Sequence, residues 1–203
     1  MAEPWIDDVE ALDAIYDTAP AQASLRKVAR RLTPTYRKWI MASRFCIVST
    51  VGPEGADGSP RGDDGPVVSE LNAGTLALPD WHGNNRVDTL RNVVRDGRIA
   101  LLFMVPGCDN MVRVNGRGRV SAGADLRARF QRDGKQPRTV IVIAIEEVYF
   151  QCARAIRRSG LWNGQGPDDL PTAGDILAEM TQGDIDGAAY DAEWPKRADK
   201  TLW

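Results

Sequence analysis

Histidine is nearly missing from this chain: it occurs once among 203 residues, as His82. A multi-histidine metal centre is therefore excluded, and a Ser-His-Asp triad would have to be built on that one imidazole. Cysteine is scarce as well. Cys46, Cys108 and Cys152 are odd in number, with neither the close pairs of a zinc site nor the density of a disulfide scaffold. They read as reduced thiols, with no neighbouring histidine to make a nucleophile of Cys108. No apolar run approaches the roughly 20 residues that cross a bilayer, and the opening MAEPWIDDVEALDAIYD is acidic where a secretory leader would be basic. An excess of charge of one sign is also lacking: 26 Lys plus Arg stand against 28 Asp plus Glu, a formal net charge of -2, which argues against a dedicated nucleic-acid binder. Together these absences predict a cytoplasmic chain that binds no metal, membrane or nucleic acid.

What is present is enough apolar content, 43%, for one sizeable core but not comfortably two. The first 43 residues read as helices: Ile6, Val9, Leu12 and Ile15 recur at helical spacing, SLRKVARRL follows, and Thr33-Pro34 supplies a cap and first turn for a helix bearing Tyr36, Trp39 and Ile40. From Phe45 the pattern changes to short β-like runs: FCIVSTV, GPVVSEL, TLALP, RIALLFMVP, MVRVNGRGRV and TVIVIAIEEVYF. Strands so closely spaced, with turn residues between them, predict an antiparallel sheet closed into a barrel. GPEGADGSPRGDDG, residues 52 to 65, reads as the longest loop-like segment, with SPRGDD in it either a mobile loop or the lead into a strand. TVIVIAIEE is apolar at both parities, so one of its faces needs cover from a helix or a second subunit, and the second subunit is the favoured reading. The expected organisation is helices over 1–43 packed on the barrel, a barrel domain over 44–162, and a tail over 163–203 with a short helix from about Asp175 to Thr181.

Two stretches could carry chemistry. In LPDWHGNNRVDTLRNV a strand ends, the chain turns through Gly83, Asn84 and Asn85, and a helical pattern starts at Arg86. Free amides at a helix start, asparagines that tolerate left-handed backbone and a fork-shaped guanidinium would together cradle a phosphate; an asparagine cap beside a solvated arginine is the plainer reading. In MVRVNGRGRV, Arg113, Asn115, Arg117 and Arg119 share one face while Gly116 and Gly118 permit a bulge or a close approach. That face could be solvated, pair with another subunit, neutralise a phosphate or meet a nucleic acid.

The order SPRGD, LPD, GNNRVDTLRN, RIALLFMVPG and VRVNGRGRV resembles the pyridoxamine 5′-phosphate oxidase-related FMN-binding proteins over roughly residues 35 to 162, and YFQCARAIRRSGLW with the closing KTLW resembles a bacterial subgroup of them. The resemblance implies a mostly β fold, a split β-barrel homodimer with FMN in clefts between the subunits, and an FMN-dependent oxidoreductase. Its small-molecule or nicotinamide donor is not identified by the sequence, and the alternative is a protein that holds flavin or haem without turnover. By motif, Arg61, Gly62 and Asp63 fall beside the flavin, and Asn84, Asn85 and Arg86 on the phosphate turn. Arg113 falls on the strand that approaches the cofactor, with Arg157, Arg158 and Trp162 reaching it from the C-terminal side. The turn that usually reads Ser-Arg-Lys is here Asn-Asn-Arg, which leaves Arg86 most of the phosphate charge. An RLHDR-like substrate signature is absent, the nearest sequence being RRSGLW, which argues against synthesis of pyridoxal phosphate.

Overall fold

The computed structural model describes residues 4–16, 18–164, 166, 167 and 169–201. Residues 1–3, and Leu202 and Trp203 of the closing KTLW, lie outside them. Three helices come first, α1 (Val9–Ile15), α2 (Gln22–Arg26) and α3 (Pro34–Ile40). The strands follow as β1 (Phe45–Gly52), β2 (Gly55–Gly62), β3 (Ser69–Asn72) and β4 (Thr75–Asp80); then come α4 (Asp88–Arg95), β5 (Arg98–Met104), β6 (Met111–Ser121), α5 (Ala124–Ala128) and β7 (Thr139–Gln151). The chain ends in α6 (Arg154–Ser159), α7 (Ala173–Met180) and α8 (Gly187–Thr201). Among the described residues no helix is long and apolar enough to cross a membrane.

All seven strands form one antiparallel sheet in the order β2-β1-β5-β6-β7-β4-β3. Pairing register and the two-residue period of a strand fix which side chains share a face. Cys46 and Val48, Leu101 and Phe103, Val112 and Val114, Ile141 and Ile143, and Leu76 and Leu78 all point inward and merge into a single buried core. The sheet curls around that core far enough for Arg61 of edge strand β2 to reach Asp80 of β4, at 2.9 Å. Thr33 caps α3 by accepting from the Tyr36 amide, with Pro34 in the first turn, and α3 buries Ile40. By contrast α1 and α2 bury nothing within the single chain: Trp5, Val9 and Ile15 remain largely exposed.

Three differences from the sequence pattern have clear causes. The segment read as a loop over 52–65 contains β2, whose inward positions Asp57, Ser59 and Arg61 carry polar side chains where a core strand would carry apolar ones. Its Pro60 is tolerated because β2 lies at the sheet edge and need not donate on its outer side. GPVVSEL joins the sheet only from Ser69, where β3 begins; Val67 and Val68 enter the core from the preceding connection. β7 differs more subtly. A bulge opposite Asn115 and Gly116 places Glu146 and Glu147 consecutively in solvent, and Gly116 is required there, since a Cβ would lie 2.1 Å from the Ala144 carbonyl oxygen. On the outer face of β7, against which α5 packs, Val140 is buried within the one chain and Val142 is half-buried, so that Ala144 is the one exposed apolar position before Glu146. The surface left for a second subunit on this strand is therefore short.

Candidate functional site

At one end of the curled sheet the inward positions switch from apolar to polar. Leu76 and Leu78 lead to Asp80, Ile143 and Ile141 lead to Thr139, and Asp57, Ser59 and Arg61 stand opposite on β2. The turn between β4 and α4, residues 81–87, closes the far side, and the result is a cleft of about 780 Å³ with Val67, Leu78 and Leu90 among its apolar walls. This is within the range of pockets that take a cofactor-sized ligand. The cleft also receives Arg138 and Thr139 from the start of β7.

The turn into α4 has unusual backbone geometry. Asn85 and Val87 have φ of 61° and 54°, and Val87 is the N-cap of α4 with no side-chain cap bond. Left-handed angles are easy for asparagine but strained for a β-branched valine, and such strain concentrates at functional sites. Asn84 Oδ1 accepts from the Arg86 amide, so this asparagine orders the turn itself and does not cap the helix. α4 is anchored below: Asn92, buried, donates to Thr50 Oγ1 at 3.2 Å, and Thr89 donates to Asp57 at 2.5 Å.

Charge in the cleft is nearly balanced, with Arg61, Arg86 and Arg138 against Asp57, Asp63, Asp80 and Asp88. Arg61 pairs with Asp80, and Arg86 with Asp88 at 3.0 Å. Asp63, only 6% exposed, accepts from Arg132 at 2.8 Å and from the Trp81 indole at 3.3 Å. Arg138 donates to Asn85 Oδ1 at 3.2 Å. Two polar atoms in the lining are buried with no hydrogen-bond partner, Arg61 Nε and Thr139 Oγ1. Behind the cleft, burial pushes the Cys46 thiol up to about 12, Arg61 opposing the shift, so this cysteine is inert at neutral pH. Among the described residues no group of three or more His, Cys, Asp and Glu could hold a metal ion.

Of the residues singled out from sequence, Arg61, Gly62, Asp63, Asn84, Asn85 and Arg86 all line this cleft, as does His82. Arg113 does not: its register with Leu102 and Tyr149 puts it on the outer face of the sheet, where it donates to the Tyr149 hydroxyl at 3.3 Å. Arg157 and Trp162 gather instead with Asp109 at a smaller hollow, Arg157 pairing with Asp109 and the Trp162 indole donating to the Cys108 carbonyl; Arg158 is exposed. Arg138, Thr139, Asp57 and Asp80 were missed. The RT that opens RTVIVI looks like an ordinary strand start, and only the meeting of β7 with the 81–87 turn gives it a role.

A family model described as pyridoxamine 5′-phosphate oxidase matches residues 32–152, more than half of the chain. No curated protein matches the sequence. Among solved structures, HupZ from Group A Streptococcus is 16% identical with a TM-score of 0.48, covering 58% of this chain and 91% of its own. A Clostridium acetobutylicum protein related to general stress protein 26, described as of the pyridoxinephosphate oxidase family, is 12% identical with a TM-score of 0.45, covering 58% and 85%. An F420 reductase is 16% identical with a TM-score of 0.41, covering 59% and 98%.

Proposed function

Because the chain belongs to the pyridoxamine 5′-phosphate oxidase family by its match over residues 32–152, we propose that it is an FMN-dependent oxidoreductase whose cofactor occupies the cleft between β2, β4 and the turn into α4. The observation that carries this reading is the pair of buried, unpartnered donors, Arg61 Nε and Thr139 Oγ1, in the wall of a cleft of about 780 Å³. Buried polar atoms are rarely left unpaired, and an oxygen- and nitrogen-rich ligand would satisfy both. Asp63, held by Arg132 and Trp81, would face the polar edge of the flavin ring, and the 84–87 turn would take the phosphate end. Bound FMN would supply the redox chemistry, moving a hydride between a small organic or nicotinamide donor and an acceptor. The protein's task is to bind, orient and exclude water, which is consistent with a chain that has one histidine.

Residues 44–162 make the FMN-binding split barrel in this reading, with 1–43 and 163–203 as appendages, and two copies assemble as a homodimer. Support for assembly comes from the outer face of β1 and β5, where Phe45, Ile47, Leu102 and Met104 are only half-buried, and from the exposed apolar residues of α1. In such a dimer Arg113, Arg157, Arg158 and Trp162, none of which lines the cleft of its own chain, would approach the cofactor of the partner.

A second reading, a protein that holds flavin or haem without turnover, has one observation in its favour. Each of the four cleft carboxylates already accepts a hydrogen bond or ion pair from within the chain, which leaves no carboxylate free as a base. Haem would draw on His82, the chain's one imidazole, which lies in the cleft wall. The deciding experiment is a visible spectrum of the purified protein before and after addition of FMN and removal of the excess. A stoichiometric flavin spectrum that a nicotinamide or small organic donor bleaches supports the oxidoreductase; a flavin spectrum that no donor bleaches supports the holding protein. A protein that takes up no flavin, or shows a Soret band with haem instead, rejects FMN.

A further inference from the structure

The ten residues between α5 and β7 form a strap fixed at both ends. Arg132 and Lys135 exchange backbone hydrogen bonds at 2.9 and 2.8 Å across a turn whose centre, Asp133 and Gly134, has φ of 48° and 77°. The Arg132 guanidinium reaches Asp63 at 2.8 Å and Asp64 at 2.5 Å on the opposite wall. Arg127 Nε donates to the carbonyl of buried Pro137 at 2.8 Å. The next two residues are Arg138 and Thr139, so the strap has little freedom over where it places them.

They arrive opposite the strained turn of residues 84–87, Arg138 donating to Asn85 Oδ1. Among the three arginines lining the cleft, Arg61 is committed to Asp80 and Arg86 to Asp88. Arg86 and Arg138 are both exposed, so it is pairing rather than burial that separates them. Arg138 has no carboxylate partner among the described residues, and Thr139 beside it holds a buried hydroxyl with no partner. A guanidinium not neutralised by the protein and an unsatisfied hydroxyl on the same wall form a site for a phosphate monoester.

We propose that Arg138 and Thr139, rather than Arg86, supply the principal grip on the ligand phosphate, in place of the second basic residue that Asn85 replaces in the turn. This rests on the flavin reading above. It makes the strap a specificity element that favours phosphorylated over unphosphorylated flavin. The experiment is a fluorescence titration of the full chain with FMN and with riboflavin, which lacks the phosphate, for the wild type, Arg138→Ala, Arg138→Lys and Arg86→Ala, each checked for folding by its thermal melt. We expect Arg138→Ala to weaken FMN by about tenfold or more while riboflavin changes less than about twofold, with Arg138→Lys intermediate and Arg86→Ala milder. Equal loss of both flavins, no loss of either, or an FMN-selective loss in Arg86→Ala alone overturns the assignment while leaving flavin binding intact. A folded wild type that binds neither flavin overturns the flavin reading itself, and this inference with it.

Discussion

Val87 sits at φ 54° in a backbone region that costs an L-residue roughly 1–2 kcal/mol, and more when the side chain is β-branched. Val87→Gly should relieve that strain and, after the entropy that glycine adds to the unfolded chain, stabilise the protein by up to about 1 kcal/mol in a urea titration. A destabilised variant would mean that the side chain contributes more by packing than its backbone costs. The cysteines allow a second check at this scale. Cys108 and Cys152 are exposed and Cys46 is buried with its pKa pushed up to about 12; a thiol reagent at pH 8 should therefore label two positions in the folded protein and the third only after denaturation. Fast labelling of Cys46 would contradict the closed core behind the cleft. What the sequence disclosed about single residues followed the range of the interaction. Arg61, Asp63 and Arg86 stand in short motifs and were picked out, while Arg138 depends on Asn85, 53 positions away, and nothing local distinguishes it from a solvated arginine.

Helices and strands with an apolar period were legible, and those shaped by the cleft were not. β1, β4, β5, β6 and β7 announce themselves because their inward positions feed the core; β2 does not, because its inward side chains feed a polar cavity. α8 was hidden by Pro195, which lies inside it and removes one backbone donor from the helical ladder. The β6–β7 bulge gives an element-level test: Gly116→Ala puts a methyl group against the Ala144 carbonyl, and the forced shift should cost about 1–3 kcal/mol by chemical denaturation. α3 gives another. Its Arg37 clasps Glu70 of β3 through two hydrogen bonds at 2.5 and 2.7 Å, which hold the Glu70 carboxyl below its ordinary value of 4.5. A depressed folded-state pKa means that this contribution is present above pH 4.5 and is lost as pH falls through the folded value. The gap in melting temperature between wild type and Glu70→Gln should therefore narrow on acidification below pH 4.5; a gap independent of pH would show that the clasp contributes nothing through its charge.

For the molecule as a whole, family and general architecture were readable from ordered motifs, because the spacing of strands and turns survives where individual side chains change. The doubly apolar β7 points to assembly, yet much of that strand's outer face is covered within one chain, and the half-buried patch on β1 and β5 is the better support. Light scattering at micromolar concentration should give twice the 22.3 kDa chain mass, and Leu102→Glu, placed on that outer patch, should reduce it to one; a monomeric wild type would reject the homodimer. The strand order also sets when the cleft can exist. β7 is made after β1 to β6, yet among the described residues it is the only strand that joins β6 to β4. As the chain leaves the ribosome, β2-β1-β5-β6 and β4-β3 share no strand pairing until β7 inserts between them, and the last residues to reach the cavity, Arg138 and Thr139, arrive at the start of that strand. The wall that carries Arg138 and Thr139 is therefore the last to form, and a nascent or truncated chain ending before residue 138 has the β2, β4 and 81–87 sides of the cleft in its sequence but not the side that closes them.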